Sequence, residues 1–160
     1  MPSSGTTIKS LLPALPAGGS CVRSAAAILA TADNRYLLQL RDGKSEIPFP
    51  DSWALFGGTI DDGESPEQAV RREIKEEIGY EAGEVFYFTQ FIFDSVHADS
   101  GVCQRYYFHV PFSAELMDTL VLTEGADIRL IEMDEIFSLA PKTVPYDFAA
   151  VSLFSLKFGN

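Results

Sequence analysis

The hydrophobic positions of the chain change period several times, and each change predicts an element. From Cys21 to Ala32 the run Val22-Arg23-Ser24-Ala25-Ala26-Ala27-Ile28-Leu29-Ala30 is short and almost continuously apolar, which predicts a mostly buried strand. Asp33-Asn34 then supply turn chemistry before Tyr36-Leu37-Leu38-Gln39-Leu40-Arg41, so the two runs read as a hairpin. Residues 42 to 51 hold Gly43, Pro48 and Pro50 and read as a loop, followed by a short strand Trp53-Ala54-Leu55-Phe56 that leads into Gly57-Gly58. There the period switches: Val70, Ile74 and Ile78 repeat every four residues with Ala69 beside them, the stripe of an amphipathic helix. Its ends are marked by Ser65 as N-cap with Gln68 three residues on, Pro66 at the first helical position, and Gly79 as the left-handed stop.

Beyond this helix the alternation returns. Residues 84 to 93 and 103 to 110 are aromatic strands joined by a loop with His97 and Asp99. Residues 120 to 127 lead to a strand Ile128-Arg129-Leu130-Ile131 and a short helix from Met133 to Leu139, begun near Asp134. A final apolar segment from Tyr146 to Phe158, with Val151, Phe154 and Phe158 at helical spacing, predicts a helix packed on the sheet. Residues 1–20, rich in Ser, Thr, Gly and Pro without a period, read as a flexible N-terminal extension or an added edge strand, and residues 21–160 as the domain. Strands, one central helix, more strands and a terminal helix make an α/β chain with a mixed sheet covered on both faces.

Composition narrows the classes. A chain of 160 residues with 46% hydrophobic content is one globular domain. No apolar run reaches bilayer length, and Leu11-Leu12-Pro13-Ala14-Leu15-Pro16 is too short and proline-broken for a signal peptide, so a cytoplasmic protein with no membrane partner is expected. Cys21 and Cys103 make no disulfide framework and no zinc spacing, and are expected as reduced thiols. The formal charge of −11 argues against a general nucleic-acid coat. For the same reason a polyphosphate can bind only through a bridging metal ion and locally placed cations.

The candidate chemistry lies in the central helix. Glu73, Glu76 and Glu77 fall three and four residues apart, so their carboxylates are expected together on one face, where each like-charged pair costs about 0.2–0.5 kcal/mol. They also sit toward the negative pole of the helix dipole. Arg71, Arg72 and Lys75 relieve part of this, and many glutamate-rich helices are simply solvated. Here, however, a glycine pair and a second acidic loop, Asp61, Asp62 and Glu64, precede the helix, an arrangement local rules disfavour unless a cation compensates. Mg2+ prefers such oxygen ligands and shares phosphate oxygens with a substrate, which suggests metal-assisted attack on phosphate.

Gly58, five residues, Glu64, seven residues, then Arg72-Glu73-Ile74-Lys75-Glu76-Glu77-Ile78-Gly79-Tyr80 resembles the signature of the Nudix hydrolase family. Two positions depart from it without removing a ligand: Tyr80 where an aliphatic residue is usual, and Phe56 where many members have proline. The resemblance implies an α/β/α sandwich and water attack on a phosphorus of a nucleoside diphosphate linked to another group, with Mg2+, or Mn2+ in its place. It implies Glu73, Glu76 and Glu77 as metal ligands, completed by the backbone carbonyl of Gly57 or Gly58. Arg72 would orient a neighbouring glutamate and Glu64 would fix the loop. The base that takes a proton from water is one of Glu73, Glu77 and Glu124, the last of which also fits an ordinary polar loop. The loop between 42 and 51 falls near substrate in the resemblance, making Arg41 and Lys44 candidate phosphate contacts, and Trp53 and Phe49 candidate base-stacking residues with core packing as their other reading. His97 is a further substrate candidate or an ordinary loop histidine, and His109 reads as structural.

The leading substrate is a nucleoside triphosphate, including an oxidised one. A nucleotide sugar or ADP-ribose is the alternative, and a non-catalytic nucleotide-binding regulatory module or a prenyl diphosphate isomerase using Cys103 are the rival classes. The aromatic strand 85–93 is a candidate edge for a homodimer.

Overall fold

The computed structural model of the chain describes residues 21–94 and 101–159. The expected extension at 1–20, together with His97 and Asp99, lies outside the described residues.

The alanine-rich run forms β1, Cys21–Ala30, at the centre of a seven-stranded mixed sheet. Its neighbours are β2, Arg35–Leu40, and β6, Val102–Pro111, which runs parallel to it along its whole length, from Cys21↔Val102 to Ala30↔Pro111. β5, Phe86–Asp94, pairs antiparallel with β6 and forms an edge, while β7, Asp127–Glu132, lies along β2 on the other side. The turn Asp33-Asn34 closes the β1–β2 hairpin, with Asn34 at φ 60°. The expected strand at 53–56 is divided: β3, Trp53–Ala54, pairs with β2, and β4, Phe56–Thr59, pairs with β1.

Period-two alternation in β1 separates two cores. Ala25, Ala27 and Leu29 face the helix α1, Pro66–Ile78, through its stripe of Ala69, Val70, Ile74 and Ile78. Ala26, Ile28 and Ala30 face the other way, towards α2, Met133–Ser138, and α3, Pro145–Phe158, through Ile136, Ala150, Val151 and Phe154. The result is the expected α/β/α sandwich. α1 ends as the sequence predicts, with Ser65 and Gln68 forming a reciprocal capping box and Gly79 in the left-handed region at φ 67°. Phe158 departs from expectation: it is 53% exposed, because the last turn of α3 runs past the core and its ring covers Phe154 and Phe88 from outside.

A buried polar network, not anticipated from sequence, ties α3 to the sheet. Asp147, 2% exposed, accepts hydrogen bonds from the Leu55 backbone N–H at 3.1 Å, Arg105 Nε at 3.0 Å and the Tyr107 hydroxyl at 3.1 Å. Leu55 is the residue between β3 and β4, so this carboxylate secures the point where the sheet divides. Both cysteines are free thiols, with Cys103 Sγ 3.6 Å from Ser24 Oγ. Among the described residues no helix is long and apolar enough to cross a membrane.

Candidate active site

The site grows from a fork in the sheet. β1 pairs with β2 only at Leu29↔Leu37 and Ala30↔Tyr36. Then β1 turns to β4 through Ser24–Ala27, while β2 continues to β3 through Gln39 and Leu40. Gly57 stands at the opening with φ 145°, and a Cβ built there would lie 2.1 Å from the Ala25 carbonyl oxygen. Only glycine admits this close approach of β4 to β1.

Into the fork α1 directs Glu77, which is 6% exposed. Its Oε1 accepts a hydrogen bond from Gln39 Nε2 at 3.0 Å, and its Oε2 one from the Gly57 N–H at 3.0 Å. Burial pushes the Glu77 carboxyl up to about 7, opposed by the Gln39 bond and reinforced by the negative charges of Glu73 and Glu124. Glu73 is also raised, first by burial, with Arg72 opposing and Glu76 and Glu124 adding to the shift. The neighbouring negative charges therefore disfavour ionisation of both Glu77 and Glu73.

Arg72 partly compensates. It holds Glu64 with two nitrogens at 3.0 Å each, and donates through Nη1 to Glu73 at 2.7 Å and Glu76 at 3.3 Å, and through Nη2 to the Thr59 carbonyl at 3.0 Å. These bonds, that of Arg72 to Glu64 foremost, hold the guanidinium firmly protonated. Glu64 in turn accepts from the Asp61 N–H at 3.0 Å, closing the loop before the helix, and the Arg72 bond keeps its carboxyl below the usual range.

The loop after the short 3-10 turn Ala114–Thr119 brings Glu124 to the same place. Thr123 caps the C-terminal end of α1: its N–H donates to the Glu77 carbonyl at 2.9 Å and its hydroxyl to the carbonyls of Glu76 and Glu77. On the far side the Ala126 N–H bonds the Leu40 carbonyl at 2.8 Å. Glu124 and Glu77 thereby line a cavity of about 310 Å³ together with Gln39, Arg41, Asp42 and Lys44. Arg41 is oriented by a 2.9 Å bond from its Nε to the Pro48 carbonyl, and Lys44 pairs with Asp42 at 3.3 Å.

One expectation is corrected and one pair of readings is decided. The three helix glutamates do not share one solvent face: Glu77 is drawn under the sheet by Gln39 and Gly57, Glu73 is largely covered beside Gly58, and Glu76 is 60% exposed. Among the described residues, no three His, Cys, Asp or Glu groups converge in metal-binding geometry. Of the two readings open for Trp53, the structure takes core packing, and its ring does not line the cavity. It is 7% exposed, packed with Leu55 and Ile131 under the Arg129 guanidinium at 5.6 Å. Phe49 lies edge-on against Tyr146 with ring centroids 5.8 Å apart. Sequence reasoning missed Gln39 and Thr123. The signal for Gln39 was a polar residue at an apolar position of a buried strand; Thr123 carries none.

Glu73 and Glu77, both largely covered and each raised by burial and by the negative charge of neighbouring glutamates, are oxygen donors of the class a hard divalent cation takes, while Arg72 Nη1 lies between Glu73 and Glu76. The glycine pair separates stability from site chemistry. Gly57→Ala is expected to lose about 1–3 kcal/mol from backbone strain alone, seen as a lower urea midpoint. Gly58→Ala meets first the Glu73 carboxylate, 2.5 Å from the new Cβ and at the far end of a flexible side chain, so it should lose less stability than Gly57→Ala while displacing Glu73 and lowering divalent-ion affinity.

Known proteins place this geometry. The NUDIX domain family model matches residues 22–153. A 48-residue stretch is 48% identical to the nucleoside triphosphatase NudI of Escherichia coli O139:H28, covering 29% of this chain and 33% of that protein, and NudI of Shigella flexneri matches equally. The chain thus spans about a third of the length of these curated relatives. Among solved structures, the fold is similar to a MutT protein from Methanosarcina mazei Go1, with TM-score 0.73 at 19% identity over 89% of this chain and 99% of that one. It is similar also to the NUDIX domain of Shewanella oneidensis NrtR, solved in complex with ADP ribose, with TM-score 0.72 at 19% identity over 95% and 98%. With a family model matching most of its length and its glutamate helix set at the fork of a sheet of this fold, the chain belongs to the NUDIX domain family.

Proposed function

We propose that the protein hydrolyses a phosphoanhydride bond of a nucleoside diphosphate linked to another group, a nucleoside triphosphate, including an oxidised one, being the leading substrate. The observation that carries this reading is one cavity lined by Glu77 and Glu124 and also by Arg41 and Lys44. Carboxylates and cations on one cavity suit a polyphosphate bound partly through a metal ion. The matched stretch shared with a relative named a nucleoside triphosphatase supports the choice of substrate class.

Glu73, Glu76 and Glu77, with the backbone carbonyl of Gly57 or Gly58, would hold Mg2+, or Mn2+ in its place, whose chemistry is charge neutralisation and Lewis-acid polarisation of phosphate. The remaining work belongs to the chain. Arg41 and Lys44 bind the polyphosphate, and the rigid attachment of the Glu124 loop to α1 and β2 fixes its distance from the phosphorus. Arg72, held by Glu64, keeps Glu73 in place. Glu73, Glu77 and Glu124 are the groups placed to accept the proton from water. Glu124→Gln with unchanged Mn2+ affinity and a loss of kcat of about 10²-fold or more would assign that role to Glu124.

The deciding experiment measures phosphate and pyrophosphate release from nucleoside triphosphates, an oxidised triphosphate, nucleotide sugars, ADP-ribose and dinucleoside polyphosphates, with Mg2+ or Mn2+ and with chelator. Metal-dependent turnover of triphosphates is expected. Turnover of ADP-ribose or a nucleotide sugar in their stead would reassign the substrate. Tight binding without turnover of any compound would make the domain a regulatory module.

A further inference from the structure

We propose that Gln39 is a positioning residue that holds the Glu77 carboxylate in its ligating orientation. This rests on the reading of Glu77 as a metal ligand.

Gln39 shares a strand face with Leu37, which points into the core beneath α1, and is itself only 4% exposed. At such a position an amide is costly unless both of its ends are used. One end donates to Glu77 Oε1 at 3.0 Å. The other end abuts the turn after Glu124: a Cβ on Gly125, whose φ is 88°, would lie 3.0 Å from Gln39 Oε1 and 2.9 Å from the Leu40 carbonyl. A single planar group therefore bonds the buried carboxylate and occupies the space into which a side chain at Gly125 would grow. Since the Gly57 N–H already fixes Oε2, the Gln39 bond is what removes the remaining rotation of the carboxylate about its terminal torsion. Groups that orient ligands in this way commonly set metal affinity nearly as strongly as the ligands do.

The test uses Gln39→Met, close in length and volume but unable to donate, in the full chain. Mn2+ affinity is measured by electron paramagnetic resonance, together with kcat and KM on the best substrate from the panel and the urea midpoint. Mn2+ affinity about 10-fold weaker or more is expected, with a broadened bound-Mn2+ spectrum and a fall in kcat larger than any rise in KM. Gln39→Asn, which keeps the amide but is one methylene short, should weaken Mn2+ similarly and serves where the Met variant does not fold. Parent-like Mn2+ affinity and kcat, including with a lowered urea midpoint, overturn the proposal and leave Gln39 a folding residue. Glu77→Gln separates the two readings. If it binds Mn2+ as the parent does, Glu77 is not a ligand and the underlying reading falls; if it does not, only the Gln39 variants decide the positioning role.

Discussion

Replacing Glu77 with Gln is expected to lower kcat by about 10³-fold, equivalent to about 4 kcal/mol of lost transition-state stabilisation, without unfolding the chain. The physical basis is the separation of shape from charge. Glutamine fills the same volume beneath the fork and still accepts from the Gly57 N–H through its amide oxygen. Its NH2 then faces Gln39, whose own amide can turn over to present oxygen. The packing contacts of the parent survive, while the anionic oxygen proposed to hold the metal does not. Glu77→Ala is a different experiment: it strands the Gly57 N–H and the Gln39 amide, at about 1–3 kcal/mol each, and its inactivity would mix stability with chemistry. Steady-state kinetics beside urea denaturation of the Gln variant distinguish these effects. Retention of more than about a tenth of parent kcat by a folded Glu77→Gln protein would remove Glu77 from the proposed ligand set.

The largest effect on stability is expected at Asp147. Its carboxylate lies inside the second core and takes four hydrogen bonds, one from Leu55, one from Tyr107 and two from Arg105, the second of these at 3.4 Å. Arg105 is itself buried, its guanidinium 5.7 Å from the Tyr107 ring centroid and 5.5 Å from that of Tyr146. Asp147→Ala leaves a buried cation unpaired, and breaking such a pair costs about 3–5 kcal/mol, a large part of the stability of a domain this size. Asp147→Asn, which keeps the acceptor for Leu55, should lose less. The paired replacement Arg105→Met with Asp147→Leu should recover much of the loss, because apolar groups need no partner. Urea denaturation of the single and double variants measures the coupling directly, and a loss under about 1 kcal/mol in Asp147→Ala would show that the network contributes little. Leu55 separates β3 from β4, so a loosened Asp147 is also expected to loosen the glycine pair at the fork and with it the site.

Much of this protein was legible from local pattern. The ends of α1 follow from Ser65, Gln68, Pro66 and Gly79, because caps are decided within a few residues of backbone. The two-sided burial of β1 follows from an apolar run with no polar face, and the family from a motif confined to Gly58–Tyr80. Partition of the glutamates was not legible. Helical spacing groups Glu73, Glu76 and Glu77, yet whether a given carboxylate meets solvent or sheet depends on what crosses above it: β2 and β4 both bond Glu77, β4 covers Glu73 at Gly58, and Glu76 stays exposed.

The sequence by itself determined the elements, their caps, the two-faced core and the acidic character of the helix, since each depends on near neighbours or on a repeating period. Only the tertiary structure decided which acid is buried, that Gln39 and the Gly57 backbone receive it, that Thr123 brings Glu124 alongside, and which of its two readings Trp53 takes. Those outcomes join residues 20 or more positions apart in the chain, such as Gly57 with Glu77 and Arg105 with Asp147. No local rule reaches that far, and the energy that selects them comes from satisfying buried polar groups once the strands have already paired.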